Sequence, residues 1–152
     1  MRTLDRTRFA LEEIKAFCTS SDASPLIQSY FSNYLSVLFY SEVEQVVRKI
    51  LEDRLSRIED AKVSSFINHG SGKLFTRVKK NEMNELLKMF GCGDGDLLSE
   101  HVEDSEVQKY SAIIVDRHLT SHGTGSNVTI PQIEAAVPCA EKIFSAFENI
   151  IA

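Results

Sequence analysis

The chain has no tryptophan, only three prolines, three cysteines and seven glycines in 152 residues. So few chain breakers exclude the low-complexity classes, and 43% apolar with 26% charged residues is the composition of an ordinary folding globule. Cys18, Cys92 and Cys139 are odd in number, far apart and form no CxxC pair, which argues against both a disulfide framework and a thiolate zinc site. A reducing, cytoplasmic setting is the expectation. The most apolar run, "YLSVLFY", is far short of the ~20 residues that span a bilayer, and "MRTLDRTRFA" lacks the apolar stretch of a secretory signal. No membrane partner is expected. Positive charge is also short: a net charge of -5 opposes a role in coating nucleic acid, which rests on many cations meeting phosphates, but leaves room for a local basic pocket.

Strand-like alternation is missing too, whereas apolar residues recur at helical spacing nearly everywhere. The expectation is an all-α fold in one domain over 1–152, an up-and-down bundle of four to five helices. A first helix from Leu4 to Cys18 places Leu4, Leu11, Ile14 and Cys18 on one face and stops at "TSSDAS". Ser24 and Pro25 supply a cap and a first-turn proline for a long helix reaching about Ile58. Its apolar face runs through Phe39, Val43, Val46, Val47, Ile50, Leu51, Leu55 and Ile58, with Glu42, Arg48, Lys49, Glu52 and Asp53 opposite. Shorter helices follow, "DAKVSSFIN" closed by His69 and Gly70, and "NEMNELLKMFG" with Asn81 as cap and Gly91 as terminator. After a "GCGDGD" loop a helix spans Asp104 to Ser121. A last one becomes regular at Pro138, with "PQIEAA" as a preceding turn, and carries Ala140, Ile143, Phe144, Phe147, Ile150 and Ile151.

The chemistry concentrates in "VDRHLTSHG", Val115 to Gly123, which holds two of the four histidines, an arginine, an aspartate and two hydroxyls. At 100° per residue Arg117 lies about 20° from Tyr110 and about 60° from Ile114, so the polar cluster continues an apolar stripe. A buried arginine is costly unless paired, so the stripe is expected to open at its end into a cleft or a subunit interface. Glu44, in an otherwise apolar stretch, is a candidate ionic partner for Arg117.

Arg117, four residues, then His122, with polar His118 after the arginine and Gly123 after the histidine, resembles the R-x4-H signature of the HEPN domain family. These are small helical bundles that include RNA-cleaving toxins and defence proteins. "LFYSEVEQVVRKIL" is similar to a glutamate-bearing mid-helix segment of the RiboL-PSP-like branch, and the helix order agrees. The resemblance implies metal-free cleavage of RNA to a 2',3'-cyclic phosphate, with no cofactor, at a homodimer interface where the motif helices meet. By the same resemblance, His122 is the general acid or base, Arg117 the cation on the phosphate and His118 the residue that orients the pair. The family often has asparagine or aspartate where His118 stands. The toxin context would bring an antitoxin partner.

Chemistry reaches the same roles separately. Attack by a ribose 2'-OH needs a base, an acid for the departing 5'-oxygen and a cation for the phosphoryl oxygens. Histidine serves either proton role near neutrality and arginine offers a charged fork for phosphate. One histidine cannot fill both roles in a step, so a two-fold dimer, or His118 in cis, would complete the set.

Plainer readings stand beside this one. Arg117 at a helix end is placed to meet the last carbonyls, and a HEPN-like interaction or nucleotide-binding module without catalysis would suit the acidic charge. His118 and His122 have the spacing of a shared metal, but Leu119 and Thr120 replace a zincin glutamate and its neighbour, and the only third ligands in view are Asp116 and His101. "GSGKLF" lacks the strand and spacing of a phosphate loop and reads as a turn. Lys73, Arg77, Lys79 and Lys80 with Phe75 would suit an RNA backbone or a solvated helix face. "GDGD" has too few spaced oxygens for calcium, and the cysteines read as core or bystander residues.

Overall fold

A computed structural model describes residues 2–70, 78–120 and 127–152, with the side chains at 68 and 117–120 excepted. The described elements are α1 (Asp5–Ser21), α2 (Pro25–Leu55), α3 (Ala61–Gly70), α4 (Lys80–Met89), a single 3-10 turn (Leu97–Glu100), α5 (Asp104–Thr120) and α6 (Ile130–Ile151). The all-α bundle expected from the periodicity is what forms. Four long helices build it, and α3, α4 and the 3-10 turn fill the long connection from α2 to α5.

Side-chain pairs fix the helix directions. From Arg2 and Arg8 to Lys15, the first segment meets Glu148, Glu141 and Glu134 of α6 in falling order, so α1 and α6 are antiparallel. Arg2 pairs with Asp53, Thr7 with Glu42 and Phe17 with Phe31, so α1 and α2 are antiparallel as well. Lys142 holds Glu106, and Asp116 holds Asn127, which sets α5 against α6 in the same sense. α2 and α6 are therefore parallel, and the direction alternates along the chain through the four long helices.

Leu4, Leu11 and Ile14 of the first segment, Phe39, Val43, Val47, Ile50, Leu51 and Leu55 of α2, and Ala140, Ile143, Phe144, Phe147 and Ile151 of α6 are all buried. Cys18, Val46, Ile58 and Ile150 pack half-buried against them. The rings of Phe39 and Tyr110 lie 6.3 Å apart, joining α2 to α5 at the centre. Burial pushes the Tyr110 phenol far up from its usual range, and its hydroxyl donates to the Val78 carbonyl.

Glu42 overturns its expected place on the polar face of α2, since it is only 7% exposed. Leu4, the N-cap of α1, has no side chain able to bond the first turn. Glu42 supplies the missing acceptor from another helix, taking bonds from Arg6 N at 3.0 Å, Thr7 N at 2.9 Å and Thr7 Oγ1 at 2.7 Å. Glu141 does the same for Leu4 N at 3.1 Å and also holds the Arg8 guanidinium. Burial would raise its carboxyl, but these donors outweigh burial and hold it below the ordinary glutamate range.

Other boundaries shift for local reasons. α2 stops at Leu55, with Ser56 as its C-cap, short of Ile58. α4 begins one residue before Asn81, capped at Lys79, whose N–H donates to Glu82. Gly91 follows α4 with φ of 74°, the left-handed conformation a terminating glycine is suited to. The 3-10 turn was not foreseen: four residues are too few for periodicity, yet Leu98 is fully buried. α6 starts at Ile130, so "PQIEAA" is helix and Pro138 lies inside it. Burial of Ile133, Ala136 and Val137 decides that start, because Pro131 already satisfies the first-turn rule that Pro138 seemed to meet.

Candidate functional site

The motif begins in the final described turn of α5. Tyr110, Ile113 and Ile114 are at most 1% exposed, so the stripe that Arg117 continues is buried up to that turn. Arg117 and His118 are helical in backbone, and their side chains, with His122 and Gly123, lie outside the described residues. So do Lys73, Phe75, Arg77 and the "GSGKLF" turn except Gly70 and Val78 around it.

Asp116, directly before Arg117, is only 4% exposed, and its Oδ1 accepts from Asn127 N at 2.9 Å. This bond ties the end of α5 to the residues that enter α6, so the chain leaving the motif must return within a hydrogen bond of where it left. Sequence reasoning had named Asp116 only as a metal ligand. Its signal was an acid at the end of an apolar stripe, but its partner is eleven residues on and invisible to helical spacing.

Beside that tether, the parallel N-terminal ends of α2 and α6 leave a cleft of about 280 Å³, lined by Gln28, Ser29, Ser32, Asn127 and Thr129 with Pro25, Pro131, Val128 and Ile130 at its rim. Among the described residues no charged side chain lines it. Between Asp22 and Glu42 no residue is charged at all. On the far side of α2 from this cleft, Leu26, Ile27, Tyr30, Tyr34 and Val37 are exposed, and at 100° per residue they fall within about 100° of one another. These side chains form one contiguous exposed apolar face on a charge-free half-helix.

Elsewhere the polar candidates resolve into structural roles. Glu44 is half-buried and Glu42 is committed to α1. Lys80 is not on a solvated face: it pairs with Asp96 and Ser99, and only 13% of its side chain is exposed. Asp96 of "GDGD" also accepts from Asn84 Nδ2 at 2.7 Å and caps the 3-10 turn. Although burial works against it, these donors hold its carboxyl down at about 2. Burial pushes the Cys139 thiol up, which disfavours its thiolate. His69 Nδ1 lies 2.9 Å from Ser65 O, within its own helix. Among the described residues no three His, Cys, Asp or Glu side chains come together as a metal site, and no helix is long and apolar enough to cross a membrane.

Residues 5–152 match the family described as RiboL-PSP-HEPN. No curated protein and no solved structure matches the chain.

Proposed function

The chain belongs to the RiboL-PSP-HEPN family, and from that premise we propose that it is a metal-independent endoribonuclease acting as a homodimer. One observation carries the reading: the R-x4-H residues begin in the last turn of α5, where a fully buried stripe reaches the end of the bundle. His122 takes or gives the proton, Arg117 neutralises the phosphoryl oxygens, and His118 orients the pair. The 2'-oxygen attacks phosphorus, the bond to the 5'-oxygen breaks, and the 5'-oxygen leaves with a proton, so a cyclic phosphate and a 5'-hydroxyl result. Two motif helices facing across a two-fold axis supply an acid and a base together. The exposed apolar face of Leu26, Ile27, Tyr30, Tyr34 and Val37 supports association without like-charge repulsion, which a chain of net charge -5 needs. A toxin or antiviral defence role, with an antitoxin as partner in the first case, fits such an activity.

The decisive experiment incubates labelled mixed-sequence RNA with wild type and His122→Ala, both in EDTA. Cleavage by wild type alone, leaving cyclic phosphate ends, is the expected result. Equal cleavage by both would sink the assignment of His122. A second reading, a HEPN-type interaction module without turnover, has one observation in its favour. Arg2, Arg6, Arg8, Lys15, Lys49, Lys80, Lys88 and Lys142 each pair with a carboxylate and are not offered to phosphates. Absence of cleavage by the wild-type dimer would select it.

A further inference from the structure

We propose that the cleft between the N-terminal ends of α2 and α6 is a nucleobase subsite that holds the RNA base lying beside the cut. The proposal rests on the endoribonuclease reading for its place beside a cut, but not for its ligand chemistry.

Four observations point to a base. Among the described residues the lining carries no charge and offers none of the cations by which phosphate is recognised. Its polar groups are amides and hydroxyls, the types that pair with base edges, while Pro25 and Pro131 offer flat apolar surface for a ring. Its volume of about 280 Å³ falls just under that of pockets for drug-sized ligands, which suits one ring system. Finally, Ser32 lines the cleft though the residue is only 6% exposed, and its hydroxyl has no hydrogen-bond partner among the described residues. One turn deeper on the same face the Ser36 hydroxyl is fully buried and also unpartnered. Buried hydroxyls without partners are rare, and one that borders an open cleft is placed to be satisfied by a ligand.

Gln28 supplies both kinds of partner. Its Nε2 donates one hydrogen to the Ala23 carbonyl at 2.9 Å, which leaves the amide oxygen and the second amide hydrogen for a ligand. That pair matches the donor and acceptor that a base carries side by side on its edge. Ser32 adapts to either role because a hydroxyl both donates and accepts. The location follows from Asn127, a lining residue whose N–H is held by Asp116, the neighbour of Arg117.

The test uses pentanucleotides of 2'-O-methyl adenosine, cytidine or uridine, which lack the attacking hydroxyl and cannot be cut. Amide resonances are followed by NMR during titration of the dimeric protein. The expected result is that the pentamers shift amides within 28–32 and 127–133. Gln28→Leu and Ser32→Val should each weaken binding about fivefold or more. Asn127→Ala, at an exposed position, is a variant that leaves the core alone and should weaken binding severalfold. Shifts confined to other surfaces, or unchanged affinity in folded Gln28→Leu and Ser32→Val, would overturn the subsite. The two readings fail separately. Cutting of ordinary RNA without shifts at the cleft overturns only the subsite, and cleft binding without any cutting overturns only the nuclease.

Discussion

Replacing Glu42 by alanine should destabilise the protein by about 3 kcal/mol, although the residue is a glutamate on a helix with a polar face. The figure follows from what the carboxylate holds. Two first-turn N–H groups of α1, at Arg6 and Thr7, lose the acceptor that stands in for an N-cap, and a lost cap costs about 1 kcal/mol. The Thr7 hydroxyl, in a residue with no exposure, is stranded, at a cost of roughly 1 kcal/mol. A negative charge at a helix N-terminus contributes about 0.5 kcal/mol more, and two N–H groups instead of one bring the total to about 3. Glu42→Gln keeps one oxygen but turns an NH2 toward Thr7, so its cost should be about 1 to 2 kcal/mol.

Urea unfolding measures both. With a slope of about 2 kcal/mol per molar, Glu42→Ala should lower the midpoint by about 1.5 M. Glu44→Ala, two residues on and only half-buried, serves as the control and should stay within about 0.5 kcal/mol. Thr7→Val combined with Glu42→Ala should cost less than the sum of the two, because the partners share one bond. A Glu42→Ala midpoint equal to that of Glu44→Ala would refute the idea that α1 is capped from α2.

Three further outcomes are expected. Asp96 titrates at about 2 instead of 3.8, so its contribution is complete above pH 4 and disappears as pH falls toward 2. Allowing for solvent screening of a half-exposed carboxylate, this is about 1 kcal/mol; acid unfolding of Asp96→Asn should be flatter across that window, and an unchanged profile would contradict the Lys80 pairing. Pro138→Ala restores an N–H to the interior of α6 at an exposed position, and should stabilise by about 2 kcal/mol, raising Tm by roughly 4 to 8 °C; calorimetry showing a fall would mean the helix needs the proline. Asp116→Ala should speed hydrogen exchange at Asn127 N–H about tenfold or more, with core amides of α6 unaffected, while equal exchange would remove the tether.

The stripes of α1, α2 and α6 were legible because burial of one helix face imposes a period that a single sequence displays. Glu42 was not, because a carboxylate is read as solvated unless its partners are known, and Arg6 and Thr7 stand some 35 residues away. Glu141 escaped for the same reason, its donors being at the other end of the chain. For the motif, sequence placed Arg117 and His118 on the helix that carries the buried stripe, and both are helical in α5. The cleft beside it was beyond reach, since Ser32 and Asn127 meet only when α2 and α6 run parallel.

Those same distant contacts divide the bundle into two unlike ends. Where α1 begins and α2 and α6 finish, Arg2 joins Asp53 and Glu148, Arg57 reaches the Ala152 carbonyl, and Glu42 and Glu141 cap α1. The charged groups named there are satisfied by one another, although the buried Arg54 Nε has no partner among the described residues. Where α2 and α6 begin and α5 finishes, charge is absent from a whole half-helix, a hydroxyl lacks its partner, and apolar side chains face outward. Unsatisfied surface costs stability, and a fold keeps it where binding recovers the cost. Ion pairs staple the first end, and the R-x4-H residues begin at the second.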